Sequence, residues 1–160
     1  MKNNKLVIGL VLVAIALAGV YVAAAITAEY TLTVSSSQNT VLSVTNGTFG
    51  SMMAGTTNTI SPTFTLNNTG NVVANVTAAF TTNYTTTFGM VNGTYAIPGT
   101  AFELSNVTNG MYTALGATAN GVVMTDTVGI NATNPWMIKV NVPSGQEAGA
   151  YTGTIEVTFE

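Results

Sequence analysis

Seven asparagines stand in the pattern Asn-x-Ser/Thr with a residue other than proline between them, which is the acceptor motif for N-linked glycosylation. Sugar transfer to the asparagine amide requires the hydroxyl two residues later, so residue type and spacing here indicate a specific covalent chemistry. We predict glycosylation at Asn46, Asn67, Asn75, Asn83, Asn92, Asn106 and Asn131. The predicted modification implies an exported protein with these side chains on its surface.

The side chains that most often perform catalysis are missing or scattered. The chain has no histidine and no cysteine, which removes the most frequent general base, the commonest metal ligand and the thiol nucleophile. Its six acidic residues are dispersed, and Asp126 is the one aspartate, so neither a catalytic carboxylate pair nor an oxygen-rich calcium site is indicated. We predict that the protein is not an enzyme and uses no metal or cofactor.

Charge is unusually sparse along the chain. Charged residues make up 6% of the sequence, against about a quarter in an average soluble domain. There is no arginine, and Lys139 is the one lysine beyond Lys5. Nucleic-acid binding requires several basic groups to neutralise phosphates, so this class of partner is excluded.

The N-terminus has the composition of an export segment. Lys2 and Lys5 precede an uncharged run at residues 6–28, and Glu29 is the first acid. Basic residues, an apolar stretch and small residues are the three parts of a secretory signal peptide. The sequence therefore predicts contact with the membrane during export and an extracellular, cell-surface location.

The fate of that segment has two alternatives. Ala23 and Ala25 form a small-residue pair of the kind that signal peptidase recognises, so cleavage after Ala25 is the first choice and cleavage after Ala28 the second. The run is also long enough to cross a bilayer as a helix, so a retained anchor stays open. We divide the chain into residues 1–28, the signal peptide or retained hydrophobic helix, and residues 29–160, the folded domain.

After Glu29 the apolar residues alternate with polar ones, as they do in half-buried strands. Tyr30, Leu32 and Val34 share one face, and inward rows are predicted to begin at Ile60, Val72, Trp136 and Tyr151. Four Asn-Gly pairs, which begin at Asn46, Asn92, Asn109 and Asn120, are typical of tight hairpin turns. This pattern predicts an all-β fold, an immunoglobulin-like β-sandwich of about seven to nine strands.

Two segments of the sequence resemble exported archaeal β-sandwich proteins. They are SPTFTLNNTGNVVANVT at 61–77 and VPSGQEAGAYTGTIEVT at 142–158, and they are similar to segments of filament subunits of the TasA-type biofilm fibres. The resemblance implies a subunit that donates the strand following the signal peptide to the next copy, with Tyr30, Leu32 and Val34 as the inserting residues. Pairing of that strand within its own domain stays open as the alternative.

The apolar run at 6–28 also resembles the N-terminal helix that archaeal type IV pilins keep as the core of their filaments. It departs from the leader of those pilins because Leu6, and not glycine or alanine, follows Lys5. The two resemblances imply a structural subunit of an extracellular filament, a pilus or biofilm-matrix fibre, assembled from copies of itself by donor-strand exchange or helix bundling. The alternative is a membrane-anchored or secreted monomeric β-sandwich that binds at the cell surface.

Overall fold

A computed structural model describes residues 25–36, 40–42, 46–116 and 122–159 of the chain. Residues 6–24 of the predicted export segment lie outside these ranges. No α-helix occurs among the described residues, which form fourteen strands and one short 3-10 helix at Gly99–Ala101. The strands are β1 (Ile26–Ser36), β2 (Thr40–Leu42), β3 (Asn46–Met52), β4 (Thr59–Ile60), β5 (Phe64–Asn68), β6 (Ala74–Phe80), β7 (Asn83–Tyr84), β8 (Thr87–Asn92), β9 (Tyr95–Pro98), β10 (Phe102–Asn106), β11 (Tyr112–Ala114), β12 (Val122–Val128), β13 (Thr133–Val140) and β14 (Gly149–Phe159).

The strands form two sheets. Sheet A has the order β12-β6-β14-β1-β3, and β8 extends it by pairing with β14, β7 and β9. Sheet B has the order β11-β10-β13-β5-β2, with β4 paired to β13. Buried apolar side chains from both sheets form one core. The architecture is therefore nearly all β with two sheets, and it is consistent with the predicted β-sandwich.

The described strands outnumber the predicted seven to nine because several are very short. Four of them, β2, β4, β7 and β11, have only two or three residues. Segments of this length contain too few residues to display an alternating pattern, so alternation does not predict them as strands.

Alternation correctly predicts the strands that line the core near the C-terminus. In β13 and the residue pair beyond it, Trp136, Ile138, Val140 and Val142 are buried. In β14, Tyr151, Ile155, Val157 and Phe159 are buried, while Thr152 is exposed. These rows supply much of the apolar surface on which the two sheets meet.

Three details of the predicted strands are wrong. Ile60 and Val72, expected to begin inward rows, are exposed, and β6 begins only at Ala74. Asn46-Gly47, expected to be a hairpin turn, lies inside β3. The turns at Gly93 and Gly110 are confirmed, since both glycines have positive φ, of 55° and 65°. The predicted turn at Asn120 leads into residues outside the described ranges.

Strand β1 lies in the interior of sheet A. It runs parallel to β14 along its whole length, from Ile26 opposite Gly149 to Ser36 opposite Phe159. On its other side it is antiparallel to β3, with a register irregularity after Ala28. The strand begins three residues before the predicted domain start at Glu29, and Ile26 and Ala28 are fully buried in the core.

Candidate assembly strand and glycosylation sites

The predicted donor residues lie within β1, in the sheet of their own chain. Tyr30 and Leu32 are buried, with 3% and 2% of their surfaces exposed, while Thr31 and Thr33 between and beside them are exposed. Val34 is opposite Val157 of β14; its side chain lies outside what the structure describes. The inward face expected for Tyr30 and Leu32 is therefore present, and the groove that receives it is formed by the same chain.

Tyr30 is held by contacts with both sheets. Its register neighbours are Gly47 on β3 and Gly153 on β14. Its ring lies 5.4 Å from that of Phe49, measured between centroids, and its hydroxyl meets the side chain of Ser61. Burial raises the pKa of the Tyr30 hydroxyl above its ordinary value, and the Ser61 hydrogen bond offsets part of that increase.

Ser61 connects this tyrosine to the centre of sheet B. The Ser61 side chain is buried, and its Oγ accepts a hydrogen bond of 2.9 Å from the backbone N–H of Ile138 in β13. The same hydroxyl donates to the carbonyl oxygen of Pro62 at 3.1 Å. A residue on β1 is thus joined through one buried hydroxyl to the central strand of the opposite sheet.

The pairing of β1 is asymmetric along its length. Residues from Ile26 to Thr31 have described partners on both sides, in β14 and β3. From Leu32 to Ser36 the described partners belong to β14 alone. Within the described ranges, this second half of β1 is therefore held by one ladder of backbone hydrogen bonds and by the buried side chain of Leu32.

The predicted cleavage site lies directly before β1. Ala25 is exposed, and its carbonyl oxygen accepts a hydrogen bond of 3.3 Å from the N–H of Gly149. A cut after Ala25 would leave the whole of β1 intact. A cut after Ala28 would remove Ile26 and Ala28, both fully buried, from the strand.

The outward face of β1 forms the floor of a polar groove of about 540 Å³. Glu29 supplies its one carboxylate, and hydroxyls of threonines supply most of the remaining polar groups. One carboxylate without a second acid or an imidazole cannot divide the roles of general acid and base. The lining residues are Glu29, Tyr30, Thr31, Asn46, Gly47, Thr48, Thr82, Thr152, Gly153 and Thr154.

The seven predicted glycosylation sites differ in exposure. The exposed asparagines are Asn46, Asn75, Asn83 and Asn131. Asn67 and Asn92 are half-buried. Asn106 is buried, with 3% of its surface exposed, and its Oδ1 accepts a hydrogen bond of 2.9 Å from the N–H of Thr108. The folded chain therefore presents four of these amides openly and encloses one.

Asn46 and Asn75 lie on the outer face of sheet A. Asn75 is exposed in β6 between the buried residues Ala74 and Val76. Asn46 is exposed at the start of β3 and lines the polar groove. An attached glycan at either position would extend away from the core.

A second polar cluster, on the outer face of sheet B, was not anticipated from the sequence. Lys139 of β13 forms an ion pair with Glu103 of β10, and its ammonium group lies 4.2 Å from the centroid of the Tyr112 ring. The amide of Asn141 also donates to Glu103, at 3.5 Å. Alternation alone indicates that Lys139 faces outward, but it cannot identify partners that lie on other strands.

The described part of the chain contains neither a cluster of metal-ligating residues nor a membrane-spanning helix. His, Cys, Asp and Glu form no group of three there that could hold a metal ion. Among the same residues, no helix has the length and apolarity needed to cross a bilayer.

The chain matches no protein-family model, and no curated protein is detectably similar to it.

Proposed function

We propose that the protein is a structural subunit of an extracellular filament, a pilus or biofilm-matrix fibre, in which β1 of one copy completes sheet A of the next. The observation that carries the proposal is the place of β1 at the interior of sheet A, parallel to the last strand of the chain. An immunoglobulin-like arrangement of the two sheets belongs to the same proposal.

The position of β1 explains why strand exchange is physically reasonable. Without β1, β14 and β3 would lose their common neighbour, and the core would lose Ile26, Ala28, Tyr30 and Leu32. The groove must therefore be filled, and an identical strand from another copy makes the same contacts at little cost. Because each copy would donate in one direction and receive in the other, the contact would not close on itself and would build a filament.

The N-terminus of the native protein distinguishes the assembly modes. A mature chain that begins at Ile26 would have a complete and free β1, which favours strand donation. A chain that begins at or soon after Leu6 would keep the apolar run and favour helix bundling, and a chain that begins at Met1 would favour a membrane anchor. N-terminal sequencing of protein isolated from cells therefore separates these alternatives.

Electron microscopy tests the filament itself. Purified mature protein is expected to form fibres as its concentration rises, with a matching increase in light scattering. Protein that stays monomeric at high concentration, together with cells that carry no fibres, would contradict the proposal.

The alternative function is a monomeric, anchored or secreted domain that binds at the cell surface. It is favoured by the pairing of β1 within its own chain, which fills the place between β14 and β3. Monomeric protein with fully protected β1 amides in hydrogen exchange is the result expected in that case.

We further propose that glycans are attached at the exposed sequons, Asn46, Asn75, Asn83 and Asn131. In a chain with so few charges, sugar at these positions would supply solubility. Intact-mass measurement and glycopeptide mapping of the native protein test this proposal. Asn75→Gln is expected to lower the mass by one glycan, while Asn106→Gln, which alters a buried amide, is expected to leave the glycan mass unchanged. A native mass equal to that of the bare polypeptide would exclude glycosylation.

A further inference from the structure

Gly47 has a role that its sequence context conceals. Asn46-Gly47 looks like a turn, yet Gly47 lies within β3, and its φ is not in the left-handed region that favours glycine. Backbone conformation therefore does not require glycine there. What requires it is space, since a β-carbon added at Gly47 would lie 2.3 Å from both Cζ and the hydroxyl oxygen of Tyr30.

The ring of Tyr30 thus occupies the volume that a side chain at position 47 would need. An aromatic ring laid over a glycine of an edge strand is a recognised way to cover the exposed backbone and fix the pairing. Here β3 is the edge of sheet A, and Tyr30 is directly opposite Gly47. We call the Tyr30 ring the knob and the space left by the missing side chain of Gly47 the hole.

This fit selects one register of β1 against its neighbours. A slip of one residue would turn Tyr30 and Leu32 outward, which the buried face already opposes. A slip of two residues would keep the apolar face inward, so burial alone does not prevent it. In one direction, that slip would place the Tyr30 ring opposite Phe49, which has a full side chain where Gly47 has none.

The far end of the same ring adds a second restraint. Its hydroxyl reaches Ser61, which is fixed by its contact with Ile138 of β13. If β1 slipped, Tyr30 would lose its contact with the buried Ser61 hydroxyl, because the position of Ser61 is set by sheet B. The register of β1 is therefore defined by a hole in sheet A and a polar contact beneath it.

We propose that Tyr30 and Gly47 form a knob-and-hole lock that sets the register in which β1 enters sheet A and selects the strand that can fill it. The partner that fits is a second copy of this chain, because it carries an aromatic residue at the same place on an otherwise compatible apolar face. Selection between copies rests on the proposed strand exchange. The effect of the lock on register does not, because it also applies when β1 pairs within its own chain.

Two small substitutions test the lock. Gly47→Ala adds the one carbon that clashes, and Tyr30→Leu removes the ring atoms that it meets while keeping an apolar side chain. Gly145→Ala is the matched control, since Gly145 also lacks a positive φ and an added β-carbon there meets no atom within 4 Å.

The first measurement uses the single chain and needs no fibres. Gly47→Ala is expected to lower the melting temperature by about 5 °C relative to Gly145→Ala. In the double variant Tyr30→Leu/Gly47→Ala, the decrease in melting temperature is expected to be much smaller than the sum of the decreases in the two single variants. The reason is that the clash exists only when both the original ring and the added carbon are present. Additive losses, or a Gly47→Ala chain as stable as the control, would overturn the lock.

The second measurement tests selection between copies. If the wild type forms fibres, Gly47→Ala alone is expected to form few, because its filled hole rejects Tyr30. Mixed with an equal amount of Tyr30→Leu, it is expected to enter the fibres and make up about half of the subunits, since the leucine strand fits the filled hole. Exclusion of Gly47→Ala from the mixed fibres, measured by mass spectrometry, would overturn selection by the lock. A wild type that forms no fibres would instead count against the proposed function and leave the single-chain result to decide on the lock.

Discussion

Strands β1 and β13 occupy corresponding interior places in sheets A and B, yet they are attached to the molecule in different ways. Each buries an aromatic ring, Tyr30 in one and Trp136 in the other. β13 pairs with β10 on one side and with β5 and β4 on the other, whereas β1 has described partners on both sides only as far as Thr31. Equal burial therefore does not mean equal attachment.

The two aromatic residues also differ in their polar atoms. The Tyr30 hydroxyl meets the Ser61 side chain, while Trp136 Nε1 is buried with no partner among the described residues. A buried donor without a partner costs about 1–3 kcal/mol. Trp136 is thus kept in place by packing within a fully integrated strand, and Tyr30 by packing together with a specific polar contact.

A buried carboxylate in each strand would have the largest effect on this comparison. Leu32→Asp and Ile138→Asp both place an unpaired charge in the core, at a cost of several kcal/mol. We expect Ile138→Asp to abolish cooperative folding, because β13 joins three other strands. We expect Leu32→Asp to expel β1, block fibre formation and leave a cooperative transition at lower temperature, with the amides of β1 and β3 unprotected in hydrogen exchange.

Thr31→Asp is the control for this pair, since it adds the same charge to the exposed face of β1. It is expected to change stability by no more than about 0.5 kcal/mol. If Leu32→Asp unfolds the chain as completely as Ile138→Asp, β1 is not separable from the domain. If fibres still form from Leu32→Asp, β1 is not the donor.

The sequence was sufficient to predict those features that depend on local alternation. The inward rows at Trp136 to Val142 and Tyr151 to Phe159 follow from period two, and so does the buried face of β1. Ile60 is exposed although it is apolar, because the two-residue strand β4 places it opposite Lys139, on the outer face of β13. Short strands and isolated apolar residues are therefore where a local pattern ceases to predict the structure.

Features that depend on distant residues could not be predicted. The parallel pairing of β1 with β14 joins the first and last of the described strands, and no local signal specifies such a neighbour. Gly47 looks like part of a turn because the residue that needs its empty space, Tyr30, lies on another strand. The Asn106 sequon is similarly indistinguishable from the exposed ones until β10 is placed within sheet B. The sequence therefore predicts which residues belong to the candidate site. The contacts between them become visible only in the folded structure.

Removal of the Tyr30 hydroxyl should lower the free energy of unfolding moderately, and it tests the polar contact that distinguishes Tyr30 from Trp136. Tyr30→Phe is expected to cost about 1 kcal/mol at pH 7, the usual contribution of a buried hydrogen bond. Because burial raises the pKa of Tyr30, the folded state favours the neutral hydroxyl, and that preference is fully present below the unfolded pKa of about 10. This stabilisation is lost as the pH rises above about 10 and through the pKa of Tyr30 in the folded protein.

Wild-type protein is therefore expected to lose stability above pH 10 more steeply than Tyr30→Phe, by up to about 1.4 kcal/mol per pH unit. Denaturant unfolding of both proteins between pH 8 and about pH 11 measures this difference. The other tyrosines are common to both proteins and cancel in the comparison. Parallel pH profiles would mean that Tyr30 is not the group whose ionisation loosens β1.

The smallest expected effect separates the outer faces of the two strands. On β13, Lys139 is paired with Glu103 and lies over the Tyr112 ring, whereas Glu29 on β1 forms no ion pair with a described residue. Glu103→Gln is expected to cost less than about 1 kcal/mol at low salt, as is usual for ion pairs near the surface. Part of that loss should disappear in about 1 M salt, where the screening length falls to about 3 Å, since both side chains are partly buried and salt screens such pairs less. Glu29→Gln should leave stability unchanged or slightly raise it, because it removes one charge from an acidic chain. Denaturant midpoints at the two salt concentrations measure both variants, and an equal salt-dependent loss for Glu29→Gln would mean that the outer face of β1 is held by charge as firmly as that of β13.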